Sequence, residues 1–250
     1  MRKVFFTIFL IFILSVSSFS FETITFKSTD GLPVTADVYM EHNKSAPFIL
    51  LFHRARWSRG EYRDIALKLN QIGFNCMAVD LRSGKDVNEV PNETAKRAVQ
   101  TGLENNYLAA FADMESSLKY ADNKLAEGKL LIWGSSYSAA LCFVLADTHS
   151  TDVDGLLAFA PGEYFANLGK SRTFVRDHAR KVRCPVFITS AKSEQKNWQD
   201  IYDAVPVKRK SFFVPETEGV HGSEALWKST KEHKYYWQAV ENFLRPFLKK

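Results

Sequence analysis

Cysteine is scarce in this chain. There are three in 250 residues, Cys76, Cys142 and Cys184, each in or beside an apolar run. An odd count without regular spacing excludes a disulfide framework. Buried free thiols are the expected state, although the count allows one bridge. No Cys/His cluster has the spacing of a metal site, so no structural metal is expected. No glycine-rich loop is built to cradle a phosphate, and no cofactor is expected. Charge of one sign is also missing. Basic residues outnumber acidic ones by only 33 to 28 and are spread along the chain, so nucleic-acid binding is not expected. Internal repeats, low-complexity tracts and domain linkers are absent. Beyond residue 20 no segment is long and apolar enough to span a bilayer.

The first twenty residues read as a leader rather than as part of the fold. Arg2-Lys3 is a basic start, Val4 to Val16 is mostly Phe, Ile and Leu, and Ser18-Phe19-Ser20 puts small residues at the cleavage-site positions. That is the anatomy of a secretory signal peptide. Its apolar core is about 13 residues, against roughly 20 for a membrane span, which favours cleavage over anchoring. The expected product is an exported protein, periplasmic or secreted, with one domain over residues 21–250. A chain of that length can bury a full core.

Eight short runs read as strands. Glu22 to Lys27 and Val34 to Met40 alternate about the turn signal Asp30-Gly31, as an antiparallel hairpin does. Phe48–Phe52, Phe74–Val79, Leu130–Trp133, Leu156–Phe159, Val186–Thr189 and Phe212–Val214 are continuous apolar runs, which fit parallel strands covered on both faces. Helical patterns fall between them at Glu61–Ile72, Asn105–Glu127, Ser136–Asp147, Glu194–Asp203 and Thr230–Phe247. The alternation predicts an α/β fold: a doubly wound, mostly parallel, eight-stranded sheet with helices on both faces. Gly162 to Arg183 is the only stretch that could form a lid, and it is short.

Gly134-Ser135-Ser136-Tyr137-Ser138 joins an apolar strand run to a small, apolar helix run. A serine at the apex of a strand–turn–helix is the context of a nucleophile elbow, here G-x-S-x-S in place of G-x-S-x-G. A serine hydroxyl needs a base, and the base needs an orienting group. Glu194 follows the strand run Val186–Thr189, and His221 follows the last strand run. The order Ser136, Glu194, His221 is the one such a site requires. Glu163, shortly after the run Leu156–Phe159, is the alternative acid. His53 reads as structural.

Together these segments resemble the α/β-hydrolase superfamily, in its compact esterase or dienelactone-hydrolase-like form, over nearly the whole chain after residue 20. Cys184-Pro185-Val186-Phe187-Ile188 through Glu194 resembles the family's acid segment, and Gly219-Val220-His221-Gly222 its histidine loop. Asp80-Leu81-Arg82-Ser83-Gly84 resembles the segment usually read D-x-R-G-x-G. The resemblance implies an oxyanion hole from the backbone N–H groups of Tyr137 and Ala55. It departs at Arg54, where the family has glycine and where a solvated loop arginine is expected. Trp57, Tyr137, Tyr164 and Phe165 line a substrate pocket or belong to the core. The expected function is hydrolysis of a small-molecule carboxylic ester through an acyl-enzyme on Ser136. Peptidase or acyltransferase chemistry with the same triad is the alternative, as is an inactive binding protein on the same fold. The leader reading carries its own test: N-terminal sequencing of exported protein should begin at Phe21 or within a few residues of it, and a membrane-bound form retaining Met1 would overturn it.

Overall fold

The computed structural model describes residues 21–248; the expected leader lies outside them. In chain order the elements are β1 (Glu22–Lys27), β2 (Pro33–Tyr39), β3 (Phe48–Phe52), α1 (Arg63–Gln71), β4 (Asn75–Val79), β5 (Asp86–Val87), β6 (Val90–Pro91), α2 (Glu93–Thr101), α3 (Phe111–Lys124) and β7 (Leu130–Ser135). Then follow α4 (Tyr137–Thr148), β8 (Gly155–Phe159), α5 (Phe174–Ala179), β9 (Val186–Thr189), α6 (Gln195–Ala204), β10 (Lys210–Phe213) and α7 (His233–Leu244).

Eight strands form one sheet in the order β1-β2-β4-β3-β7-β8-β9-β10. The β1–β2 and β2–β4 pairs are antiparallel, and every later pair is parallel. The period of two along each strand sends alternate apolar residues to opposite faces. Phe48, Leu50 and Phe52 join a core with α3, α4, α5 and α6, whereas Ile49 and Leu51 join a second core with α1 and α7. Both faces are therefore covered, which is why the central strands carry no polar alternation. Helix α4 is apolar all round and buried from Tyr137 through Ala146, as a helix enclosed by sheet and neighbouring helices must be. Among the described residues no helix is long and apolar enough to cross a membrane.

Two helices and a hairpin escape the sequence pattern. Helix α2 is anchored by Asn92, whose side chain accepts the Ala95 N–H, and ends at Gly102 in the left-handed region. Its Val99 is 66% exposed, so no apolar stripe announces it. Helix α5 has only six residues. The β5–β6 hairpin turns through Asn88 and Glu89, both at positive φ. The last strand begins two residues before its apolar run and ends one residue before it, because edge strand β10 is only partly covered.

The strand ends are tied by buried charges. Arg59 Nη1 donates to Asp80 Oδ2 at 2.7 Å and to the Pro91 carbonyl at 2.9 Å. Its Nε lies 2.9 Å from Asp37 Oδ1, an ion pair without hydrogen-bond alignment. Asp80 also accepts the backbone N–H groups of Arg59 and Glu93. Arg82 pairs in the same way with Asp113 and Asp30. Burial still raises the Asp80 carboxyl to about 6. Breaking a buried pair from one side strands the remaining charge. Arg59→Met should lower unfolding free energy by about 3–5 kcal/mol, read from the denaturant midpoint; a loss under about 1 kcal/mol would deny the network its structural role.

Candidate active site

Strand β7 ends in the turn that carries Ser136. Ser136 has φ 62° and ψ −122°, a conformation that L-residues rarely hold. Three contacts enforce it. The Ser136 N–H donates to the Phe159 carbonyl at 2.7 Å. Gly134 packs inside the first turn of α4, where an added Cβ would lie 2.4 Å from the Ala139 nitrogen. Ser138, which replaces the usual second glycine, braces the turn: its Oγ accepts the Ser135 N–H at 2.9 Å and donates to the Phe52 carbonyl at 2.7 Å. The hydroxyl thus joins β7 to β3 at the site.

Ser136 is half-buried at the C-terminal edge of the sheet. His221 and Glu194 lie on the loops after β10 and β9, and His221 Nδ1 bonds Glu194 Oε1 at 2.5 Å. The second Glu194 oxygen accepts the Ala191 N–H at 3.1 Å, which fixes the carboxylate. A proton on Nδ1 leaves Nε2 as the basic nitrogen. The Ser136 side chain lies beside the Tyr164 hydroxyl, whose own proton goes to the Ala160 carbonyl at 2.8 Å. Glu163, the alternative acid, is engaged elsewhere. Its two oxygens accept the N–H groups of Val175 and Arg176 at 2.9 Å and cap α5.

The Tyr137 N–H opens helix α4, where a first-turn N–H has no helical partner. Ala55 is half-buried on the loop after β3 and packs against the core to which Tyr137 and Ala139 belong. The preceding N–H, of Arg54, is taken up by Glu61 Oε2 at 2.8 Å. Arg54 itself is not a solvated loop arginine. Its guanidinium reaches the His221 carbonyl at 3.1 Å and Glu224 at 3.2 Å, and stacks 4.1 Å above the Trp57 ring. Trp57 stacks in turn on Trp227. The arginine therefore pins the histidine loop. Phe165 is 1% exposed and packs edge-on against Phe174, so it belongs to the core and not to a pocket wall. Tyr137 is equally buried and stacks on Tyr107. Trp57 and Tyr164 remain at the edge of the site.

His53 holds the loop after β3 from beneath. Nε2 accepts the Leu81 N–H at 2.9 Å, so the ring proton sits on Nδ1 and faces the Arg54 carbonyl at 2.8 Å. Burial lowers its pKa to about 4, and it stays neutral. The residue that sequence reasoning missed is Glu61. It reads as the first residue of a helix, yet it sits in a 3-10 turn, fully buried, with its carboxylate directed under the site. Its partners are a backbone N–H seven residues before it and a serine hydroxyl 74 residues on, so no local side-chain pattern marks it. Among the described residues no group of three His, Cys, Asp or Glu side chains is arranged to hold a metal ion. A groove of about 620 Å³ between α1 and α7 contains none of the residues named here for the site.

No protein-family model and no curated protein sequence matches the chain. Solved structures do. A dienelactone hydrolase from Anabaena variabilis aligns with a TM-score of 0.70 at 12% identity, over 92% of this chain and 99% of that one. A Pyrococcus furiosus esterase gives 0.68 at 15% identity, over 92% and 94%. An acylaminoacyl peptidase from Pyrococcus horikoshii gives 0.65 at 16% identity, over 94% of this chain but 43% of its own length. The Glu163 geometry yields a direct test. Glu163→Gln should cost about 1 kcal/mol of stability through the lost α5 cap, seen as a lower melting temperature, while turnover stays within a factor of about three.

Proposed function

Taking the α/β-hydrolase fold as premise, we propose that this chain is an exported serine hydrolase that cleaves carboxylic esters of small molecules. The observation that carries the reading is Ser136 at φ 62°, on a strand-to-helix turn whose neighbouring loops hold a hydrogen-bonded His221–Glu194 pair. A fold alone does not assign a reaction, so the argument is made from this constellation.

Ser136 Oγ attacks the ester carbonyl carbon as its proton passes to His221 Nε2. Glu194 holds the imidazole in the tautomer that leaves Nε2 free to accept, and stabilises the cation that forms. The carbonyl oxygen becomes an oxyanion, met by the N–H groups of Tyr137 and Ala55. Preorganised donors of this kind contribute about 3–4 kcal/mol each to the transition state. The intermediate then collapses. The alcohol leaves with the proton from His221, and the acyl group stays on Ser136. Water attacks the acyl-enzyme with His221 again as base, which releases the acid and restores the serine. In the resting arrangement Ser136 faces Tyr164. Substrate would draw the hydroxyl toward the imidazole, since such hydrogen bonds often tighten only in the complex. Trp57 and Tyr164 would border the substrate.

Fluorophosphonate labelling and hydrolysis of p-nitrophenyl acetate test the reading together. Ser136→Ala should abolish labelling and lower kcat by up to about six orders of magnitude while the fold is kept. Glu194→Gln should lower kcat by about four. Labelling that survives in Ser136→Ala would move the nucleophile elsewhere. A folded wild-type protein that neither labels nor turns over any ester would favour a binding protein. Turnover confined to amides would favour a peptidase.

A further inference from the structure

Three backbone segments must stay in register for this site: the loop of Arg54 and Ala55, the end of β7, and the loop after His221. One buried carboxylate joins all three. Glu61 Oε2 accepts the Arg54 N–H at 2.8 Å, and Oε1 accepts the Ser135 hydroxyl at 2.7 Å. Ser135 Oγ in turn accepts the Ser223 N–H at 3.0 Å. Arg54 precedes Ala55, Ser135 precedes Ser136, and Ser223 follows His221 by two residues. The backbone of Glu61 adds a fourth tie, accepting the Trp227 indole N–H at 2.9 Å. Gly222 makes the approach possible: a Cβ there would lie 2.5 Å from Ser135 Oγ.

We propose that Glu61 is a positioning residue whose ionised carboxylate sets the oxyanion loop, the nucleophile strand and the histidine loop in register, so that activity requires that charge. The proposal rests on the serine-hydrolase reading of Ser136, His221 and Glu194. Proton counting supports it. Glu61 receives two donors, and the single Ser135 proton is committed to it because Ser135 Oγ already accepts from Ser223. A proton on Oε2 would confront the Arg54 N–H. A proton on Oε1 would point at Ser135 Oγ and leave the serine hydroxyl without its acceptor. Either protonation breaks a buried bond in the link.

Burial pushes the Glu61 carboxyl up to about 7, against the lowering pull of Ser135, the Arg54 N–H and the Arg54 guanidinium. The titratable groups around it are Arg54 from the oxyanion loop, Glu224 and His221 from the histidine loop, Tyr62 beside it and Tyr137 at the start of α4. His53, next to Arg54, is neutral above about pH 4. A carboxyl raised above its unfolded value of 4.5 lends stability that is complete below that value and is lost as pH rises toward 7. Ionised Glu61 thus costs stability over the same interval in which it assembles the site.

The experiment compares wild type with Glu61→Gln and Ser135→Ala, using fluorophosphonate labelling, p-nitrophenyl acetate kinetics from pH 5 to 9, and pH titration of the backbone amide resonances of Arg54 and Ser223. In wild type the acid limb of kcat/KM should include the Glu61 proton, and both amides should titrate near neutrality. Glu61→Gln should lower kcat by about 10- to 100-fold with KM within about threefold. Its acid limb should lose that proton, and both amides should stop titrating. The stability gap between wild type and Glu61→Gln should shift against wild type as pH rises from 4.5 to 7. Should Glu61→Gln fail to fold, Ser135→Ala decides: a five- to tenfold loss of kcat supports the link, and wild-type kcat overturns it. Wild type that labels while Glu61→Gln keeps its rate and its acid limb overturns the positioning role alone. Wild type that fails to label overturns the serine-hydrolase reading beneath it.

Discussion

A methyl group at position 134 would lie 2.4 Å from the Ala139 nitrogen and 2.5 Å from its Cα. That contact measures how tightly α4 closes on the end of β7, and the site depends on it. The chain must leave the strand, reverse and enter the helix within one residue. Only a positive φ at Ser136 does that. The turn lifts the side chain away from the sheet and turns the Tyr137 N–H outward at the positive end of the helix dipole. If α4 stood farther off, Ser136 could relax to ordinary backbone, and the turn that presents both groups would be lost. The close approach in turn requires a helix whose contact face is small. Ser138, Ala139 and Ala140 provide that face, and the Ser138 hydroxyl replaces a possible clash with two hydrogen bonds.

The parallel strands β3, β7, β8 and β9 all end at the same edge of the sheet. The loops that leave them therefore converge without any one being long. Beneath that convergence lies a polar layer: His53 under the loop after β3, the Arg59–Asp80 pair, Arg82 with Asp113, and Glu61. Each is buried, and each holds one loop to another by hydrogen bonds. Polar groups in such a place are costly unless satisfied, and satisfied they permit only one arrangement of the backbone.

That layer also explains what the sequence could and could not disclose. The central strands were legible because burial on both faces demands unbroken apolar runs. The order of Ser136, Glu194 and His221 was legible because each follows its own strand in the chain. Helices α2 and α5 were not, because capping residues hold them where no wide apolar stripe exists. For α5 the cap is Glu163, a residue that chain order alone left as a rival to Glu194. Arg54 and Glu61 were illegible for a different reason. A charged residue in a loop or at the start of a helix reads as solvated, and nothing local tells it from one whose partners lie 74 to 170 positions away.

The backbone strain at Ser136 has a consequence for change in this chain. Glycine holds φ 62° without the side-chain penalty of about 1–3 kcal/mol that serine meets there. Any process that rewards thermal endurance alone, whether drift under relaxed selection or a laboratory screen for heat resistance, would find Ser136→Gly an uphill step in robustness. It would discard the hydroxyl as it took that step. Robustness favours glycine at position 136, and that change would remove the hydroxyl on which the proposed reaction rests.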